Sequence, residues 1–304
     1  MTSSPRDKTQ QLVYLMDLVM LMFFNCRSTI IIIILKISNQ SSSALTLENL
    51  ETAFYQQGFA KFADSDFAAL GLDAAGIANL KSIGGTEATH VTTLTSAVAG
   101  TGTQPVAPCT YKFGFTDAAG MVATASILEN VGVSAYLGAA PLVKSGAILG
   151  VAASIVTVES RHQTFIRTAS KAMAIPSAFD TPLGIRNVFT LAAGFIESCP
   201  QGSNLAITPF PALAMTTPAA AGAPAPAAGS SIQLTSTATG ATMCAFSNGG
   251  LPGGTAFTPF TNGACTVPPN LAGLVYVNLA NAAPATGVLT DAITMAGPML
   301  MQAS

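Results

Sequence analysis

The sequence predicts a mainly α protein: a four-helix bundle with one long crossover, followed by a small antiparallel β-sandwich-like domain. Three observations predict it. Four stretches between residues 44 and 171 place apolar side chains at helical spacing. The second and third are joined by a connection from about Gly100 to Phe115. Its roughly 16 residues extend about 50 Å, against about 39 Å for a 26-residue helix, so it can cross the whole bundle. Beyond Cys199 the helical period disappears, and short apolar or alternating runs stand between Gly, Asn and Pro turns.

Taken in order, residues 1–44 read as a signal or targeting segment. Arg6 and Lys8 precede an apolar run from Leu12 to Phe24, and Ser42-Ser43-Ala44 supplies small residues of the kind found at cleavage sites. Asp17 interrupts the run, and a second run, Ile30 to Leu35, follows Arg27. A membrane helix from Leu12 to Ile37 would carry Asp17 and Arg27 at roughly 2.5–3.5 kcal/mol each near its centre, so secretion is preferred to anchoring. A mistranslated gene start stays open. Residues 45–200 are the bundle with a short fifth helix, residues 201–229 a Pro/Ala/Thr-rich linker, and residues 230–304 the β domain.

Within the bundle the first helix spans about Ala44–Phe62. The second starts at an Asp73 N-cap and continues to about Ala99. The third covers about Asp117–Leu142, kinked or ended by Pro141, and the fourth about Ser145–Lys171. The short fifth helix is Pro182–Ile196, opened by a first-turn proline. Strands are expected at Ser231–Thr235, Thr242–Phe246, Leu274–Leu279 and Ile293–Met301.

Composition sets bounds on function. With 304 residues, half of them apolar, the chain can bury a full core. A net charge of −2 without any Lys/Arg cluster leaves no footprint for nucleic acid. Of five cysteines, Cys26 lies in the leader, and its loss leaves four. Pairing Cys109 with Cys199 and Cys244 with Cys265 is the simplest of three arrangements, buried free thiols being the alternative.

The chemistry lies in Glu87-Ala-Thr-His90 and Glu159-Ser-Arg-His162. Each places a carboxylate and an imidazole one helical turn apart on one face. The chain has only two histidines and six glutamates, so a Glu three residues ahead of both His is not a chance expectation. The two halves of the bundle also repeat one another. Leu47-Glu48-Asn49 has Tyr55 seven residues after the Glu, and Leu128-Glu129-Asn130 has Tyr136 at the same distance; each stretch precedes a Glu-x-x-His helix. Glu48, Glu87, Glu129 and Glu159 all fall in apolar columns and therefore point inward. Glu51 has Gly132 as its counterpart and reads as a solvated surface charge. One carboxylate from each of two helices plus Glu-x-x-His from each of two others is the pattern of di-iron and di-manganese bundles. Four buried carboxylates would each cost several kcal/mol unless compensated, and two divalent ions balance them. Mixed oxygen and imidazole donors suit Fe or Mn.

On these residues, the stretch 45–200 resembles the ferritin-like superfamily. Leu-Glu-Asn-Leu-Glu-Thr-Ala-Phe-Tyr, Glu-Asn-Val-Gly-Val-Ser-Ala-Tyr-Leu-Gly-Ala-Ala and Val-Glu-Ser-Arg-His look, more narrowly, like the secreted fungal stress-response proteins related to plant desiccation proteins. The resemblance implies that Glu87 and Glu159 bridge two metal ions, that Glu48 and Glu129 cap one each, and that His90 and His162 each bind one. Tyr55 and Tyr136 would then donate hydrogen bonds to the capping carboxylates. A departure is that Thr86 and Val158 precede the bridging glutamates, where bacterial ferritins carry acidic residues.

Two functions stay in view. One is a secreted di-metal oxidoreductase acting on dioxygen or peroxide, ferroxidase-type chemistry included, in stress response. The other is a non-enzymatic stress or cell-surface protein with a structural or degenerate metal site. Iron storage fits less well, because few glutamates remain to line a mineral cavity. The expected partners are metal ions or small oxygen species, with no nucleic acid and with a membrane only through an uncleaved leader. A homo-oligomer is left open.

Overall fold

A computed structural model describes residues 43–203, 206–217 and 225–303. The expected targeting segment and Cys26 therefore lie almost wholly outside the described residues. Its first part is helical. Helix α1 occupies residues 43–61, α2 Asp64–Ala69, α3 Ala74–Gly100, α4 Ala118–Ala139, α5 Gly146–Ala169 and α6 Ile185–Ala193.

The long helices begin where short polar side chains can satisfy their first free amides. Asp73 caps α3 by accepting from Gly76 N at 2.7 Å, and Asp117 caps α4 by accepting from Gly120 N at 2.7 Å. Ser145 caps α5 through Ile148 N at 3.4 Å. At its far end α4 tightens into a 3-10 turn, Ala140–Leu142, where Pro141 brings no amide hydrogen. The short α2 was not expected. Asp66 accepts from Ala63 N at 2.8 Å, and Phe67 buries itself edge-on to Phe59 and Phe62.

One apolar core collects Leu50, Phe54 and Tyr55 of α1, Leu80 and Ile83 of α3, Met121 and Leu128 of α4, and Ile166 of α5. The crossover between α3 and α4 closes one side of it. Its Tyr111 and Phe113 are buried, and Phe113 meets Phe54 edge-on with ring centroids 5.1 Å apart. Strand β1 (Thr110–Tyr111) lies in this crossover and pairs with β2 (Ile196–Ser198), next to the disulfide Cys109–Cys199. The short fifth helix therefore ends earlier than expected, at Ala193. The chain after Gly194 is drawn into pairing with the crossover.

The C-terminal part holds two antiparallel sheets. One has the order β3–β4–β7, with β3 Leu213–Thr217, β4 Ser231–Ser236 and β7 Ala264–Thr266. The other runs β6–β5–β8–β9, with β5 Met243–Ser247, β6 Thr255–Pro259, β8 Gly273–Ala280 and β9 Thr294–Ala303. Both sheets contribute to one core, in which Ile232 and Leu234 meet Phe246, Val275 and Val277. The disulfide Cys244–Cys265 ties one sheet to the other. Strand β3 corrects the expectation of a structureless linker over 201–229. Leu213 pairs with Ser236 and enters the shared core, a partnership that local sequence does not display.

The helical and β parts meet over a buried contact. Tyr276 of β8 is fully enclosed, and its hydroxyl receives Asn130 Nδ2 of α4 at 2.6 Å and lies 2.8 Å from Ser134 Oγ. Asn278 Nδ2 donates to Asn187 Oδ1 of α6 at 3.0 Å. Val131, Leu183 and Val188 pack with Tyr276 between these bonds.

Candidate metal centre

The inward columns of α1, α3, α4 and α5 bring Glu48, Glu87, His90, Glu129, Glu159 and His162 to one place, and none is more than 8% exposed. Two groups of possible metal donors result. One is Glu48, Glu87, His90 and Glu159; the other is Glu87, Glu129, Glu159 and His162. Within each, one donor atom per residue lies within 4.8 Å of the others. Glu87 and Glu159 belong to both groups.

His90 Nδ1 stands 3.2 Å from Glu48 Oε2, 3.1 Å from Glu87 Oε2 and 3.2 Å from Glu159 Oε1. His162 Nδ1 stands 2.9 Å from Glu87 Oε1 and 3.2 Å from Glu129 Oε2. Several of these approaches miss hydrogen-bond geometry. His162 Nδ1, Glu87 Oε1, Glu129 Oε2 and both carboxylate oxygens of Glu159 have no hydrogen-bond partner although they are buried. Buried polar atoms are rarely left so, and here they crowd together, the donor atoms of each group lying within 4.8 Å of one another. That is the arrangement of donors around a cation, and oxygen with imidazole is a donor set that Fe and Mn accept.

The outer contacts are reciprocal. Tyr55 of α1 donates to Glu129 Oε1 of α4, and Tyr136 of α4 donates to Glu48 Oε1 of α1, so each half orients the other's carboxylate. Close packing holds Tyr55 in place: a Cβ on Gly84 of α3 would lie 2.8 Å from Tyr55 Cβ. Thr86 has a task too. Its hydroxyl donates to Ile83 O at 2.7 Å, so its oxygen accepts from His162 Nε2, 3.0 Å away. This hydrogen bond keeps a proton on Nε2 and turns Nδ1 towards the carboxylates.

The electrostatics of the metal-free cluster follow from burial and crowding. Burial lifts Glu48 to about 7, against the pull of His90, and carries Glu159 well above the usual carboxylate range. Glu129 is raised by burial as well. Glu87 differs: burial would raise it, but His162 and His90 on either side hold it down to about 2. Burial works against charge on the imidazoles, yet the surrounding carboxylates push His90 up to about 12 and His162 up to about 10.

Glu51 corrects the sequence reading. It is only 4% exposed, and burial together with Glu159 raises it well above the usual range. The mismatch with Gly132 is what admits it. A Cβ on Gly132 would stand 3.0 Å from Glu159 Oε2 and 3.1 Å from Glu51 Oε1. Its position three residues after Glu48 was the available signal, since that spacing shares a helix face. Asn130 and Gln163, which follow Glu129 and His162, were also missed. Gln163 Nε2 and Arg167 Nη2 both donate to Asn130 Oδ1, the latter at 3.0 Å, and so link the centre's edge to Tyr276.

Comparison with known proteins agrees with this geometry. Residues 39–172, which contain all six donors, match the family model described as a ferritin-like domain. The chain is also similar to Protein rds1 of Schizosaccharomyces pombe, 27% identical over 180 residues, a stretch covering 58% of this chain and 44% of that protein. The match thus spans less than half the length of that curated relative.

Proposed function

We propose, from the match of residues 39–172 to the ferritin-like domain model, that this is a ferritin-like four-helix bundle holding two divalent ions, iron or manganese, for chemistry with dioxygen or peroxide. The observation that carries this reading is the sharing of Glu87 and Glu159 by both donor groups. In it Glu87 and Glu159 would serve both ions, Glu48 and Glu129 would hold one each, and His90 and His162 would each hold one through the Nδ1 that faces the carboxylates. The ions would supply redox equivalents and polarise a small oxygen species. The chain's own part is to keep the donors dry, to hold Glu48 and Glu129 by the Tyr136 and Tyr55 hydroxyls, and to turn His162 through Thr86. The disulfides Cys109–Cys199 and Cys244–Cys265 are compatible with an oxidising compartment, and we place the protein outside the cell, in stress response.

Metal analysis of the purified chain, followed by assays of ferrous-ion oxidation and peroxide consumption, tests the reading. About two ions per chain with turnover is the expected result. Bound metal without turnover moves the protein to the class of metal-stabilised structural proteins. A chain that takes up neither iron nor manganese overturns the proposal.

A further inference from the structure

Glu51 is the buried carboxylate that the two donor groups do not use. It has no hydrogen-bond or ion-pair partner among the described residues, and it lines a cavity of about 140 Å³ between α1, α4, α6 and β9. The rest of that cavity's wall is hydrocarbon, including Leu47, Ile127, Val131, Leu191, Phe195 and Leu300. Leu300 comes from the β part, so the cavity exists only where the two parts of the chain meet. Its size is near that of the apolar cavities of about 150 Å³ that admit one benzene ring. An apolar wall with one convergent polar group is also the usual make-up of a small-molecule site. Glu51 offers that group as an acceptor, and its other neighbour across Gly132 is Glu159.

We propose that this cavity binds a single-ring phenol, with the ring against Leu47, Ile127 and Leu300 and the phenolic O–H donating to Glu51. Binding needs no metal. A further role as substrate pocket rests on the di-metal reading, because only then does the molecule lie beside a reactive centre. The chemistry separates a phenol from other occupants of the same shape. A benzene ring leaves the buried Glu51 without a hydrogen-bond partner, an anion would lose its water against an apolar wall that holds no cation, and a longer chain exceeds the volume.

The test is a calorimetric titration of the full chain, both as purified and after chelation, with 4-fluorophenol and with fluorobenzene. The phenol should bind at least about tenfold more tightly, the worth of one hydrogen bond to a buried carboxylic group. Glu51→Leu keeps the shape and removes the acceptor, so it should abolish this preference while leaving metal content at the wild-type level. Leu300→Trp, which fills the cavity from the β side, should weaken both probes. Equal affinity of the two probes for the wild-type chain, a preference that survives Glu51→Leu, or the absence of saturable binding overturns the proposal. Loss of metal in Glu51→Leu also overturns it, by making Glu51 a metal donor. Phenol binding by a chain that takes up no metal would sink the di-metal reading and leave this one standing.

Discussion

The helical part holds two similar halves, and they agree at the candidate metal donors and differ beside them. α1 with α3 supplies Glu48, Tyr55, Glu87 and His90; α4 with α5 supplies Glu129, Tyr136, Glu159 and His162. The two imidazole rings lie near parallel, 28° apart with centroids at 6.3 Å. The differences are Glu51 against Gly132 and Thr86 against Val158. Two like ions, as proposed, would need two like sets of donors, and the repeat is kept where those donors stand. Where the halves diverge, one histidine gains a hydrogen-bond partner and one carboxylate gains an apolar cavity. Symmetry is kept at the candidate metal donors, while its breaking makes the two sides of the site unlike.

The strongest way to break the comparison is to remove a carboxylate that both halves share. Glu87→Gln and Glu159→Gln should each lose nearly all bound metal. Glu48→Gln and Glu129→Gln, which touch one donor group each, should keep about one ion per chain by metal analysis. Equal losses in all four variants would show that the halves do not bind separately.

Removing the metal comes next in size. Chelation should lower the melting temperature, most at about pH 8 and least near pH 5, because the empty site depends on protons. Glu48, raised to about 7, stabilises the fold fully below its ordinary 4.5 and loses that contribution as pH rises through 7. His162 and His90, raised to about 10 and about 12, stabilise below 6.5 and lose their contributions as pH rises towards those values. Glu87, lowered to about 2, contributes above 4.5 and loses its effect as pH falls through 2. The metal-free chain should therefore melt highest at about pH 5 and progressively lower towards pH 9. A thermal melt that is flat over this range would show that the cluster is open to water.

Smaller effects sharpen the symmetry. Tyr55→Phe and Tyr136→Phe each remove one hydrogen bond to a capping carboxylate, and each should weaken metal binding by about 10- to 100-fold. Unequal losses would locate a difference between the two ions. Thr86→Val makes the first half like the second and should weaken only the ion beside His162, by less than either tyrosine variant. Competition titration with a metal-binding dye reads all three.

Much of this site was legible in the residues themselves. Glu-x-x-His places both groups on one helix face whatever the surroundings, and in a chain with two histidines its double occurrence carries information. Asp73, Asp117 and Ser145 likewise mark helix starts by a local contact. Glu51 was misread because comparison of the halves asks what is repeated, and this residue acts through what is not.

What the sequence by itself determined is the set of periodic features. Helical columns and caps are contacts between residues a few positions apart, so local order encodes them. The tertiary structure alone decided the rest. Strand β3 finds its partner β4 across a Pro/Ala-rich stretch that carries no pattern, and Asn130 meets a tyrosine 146 positions further along. Tyr55 crosses to Glu129 of the opposite half. The cavity beside Glu51 needs Gly132 for room and Leu300 for a wall, residues that nothing local relates to one another. Such contacts depend on where whole elements come to rest, and packing of distant surfaces, unlike helical period, leaves no trace in the spacing of neighbouring residues.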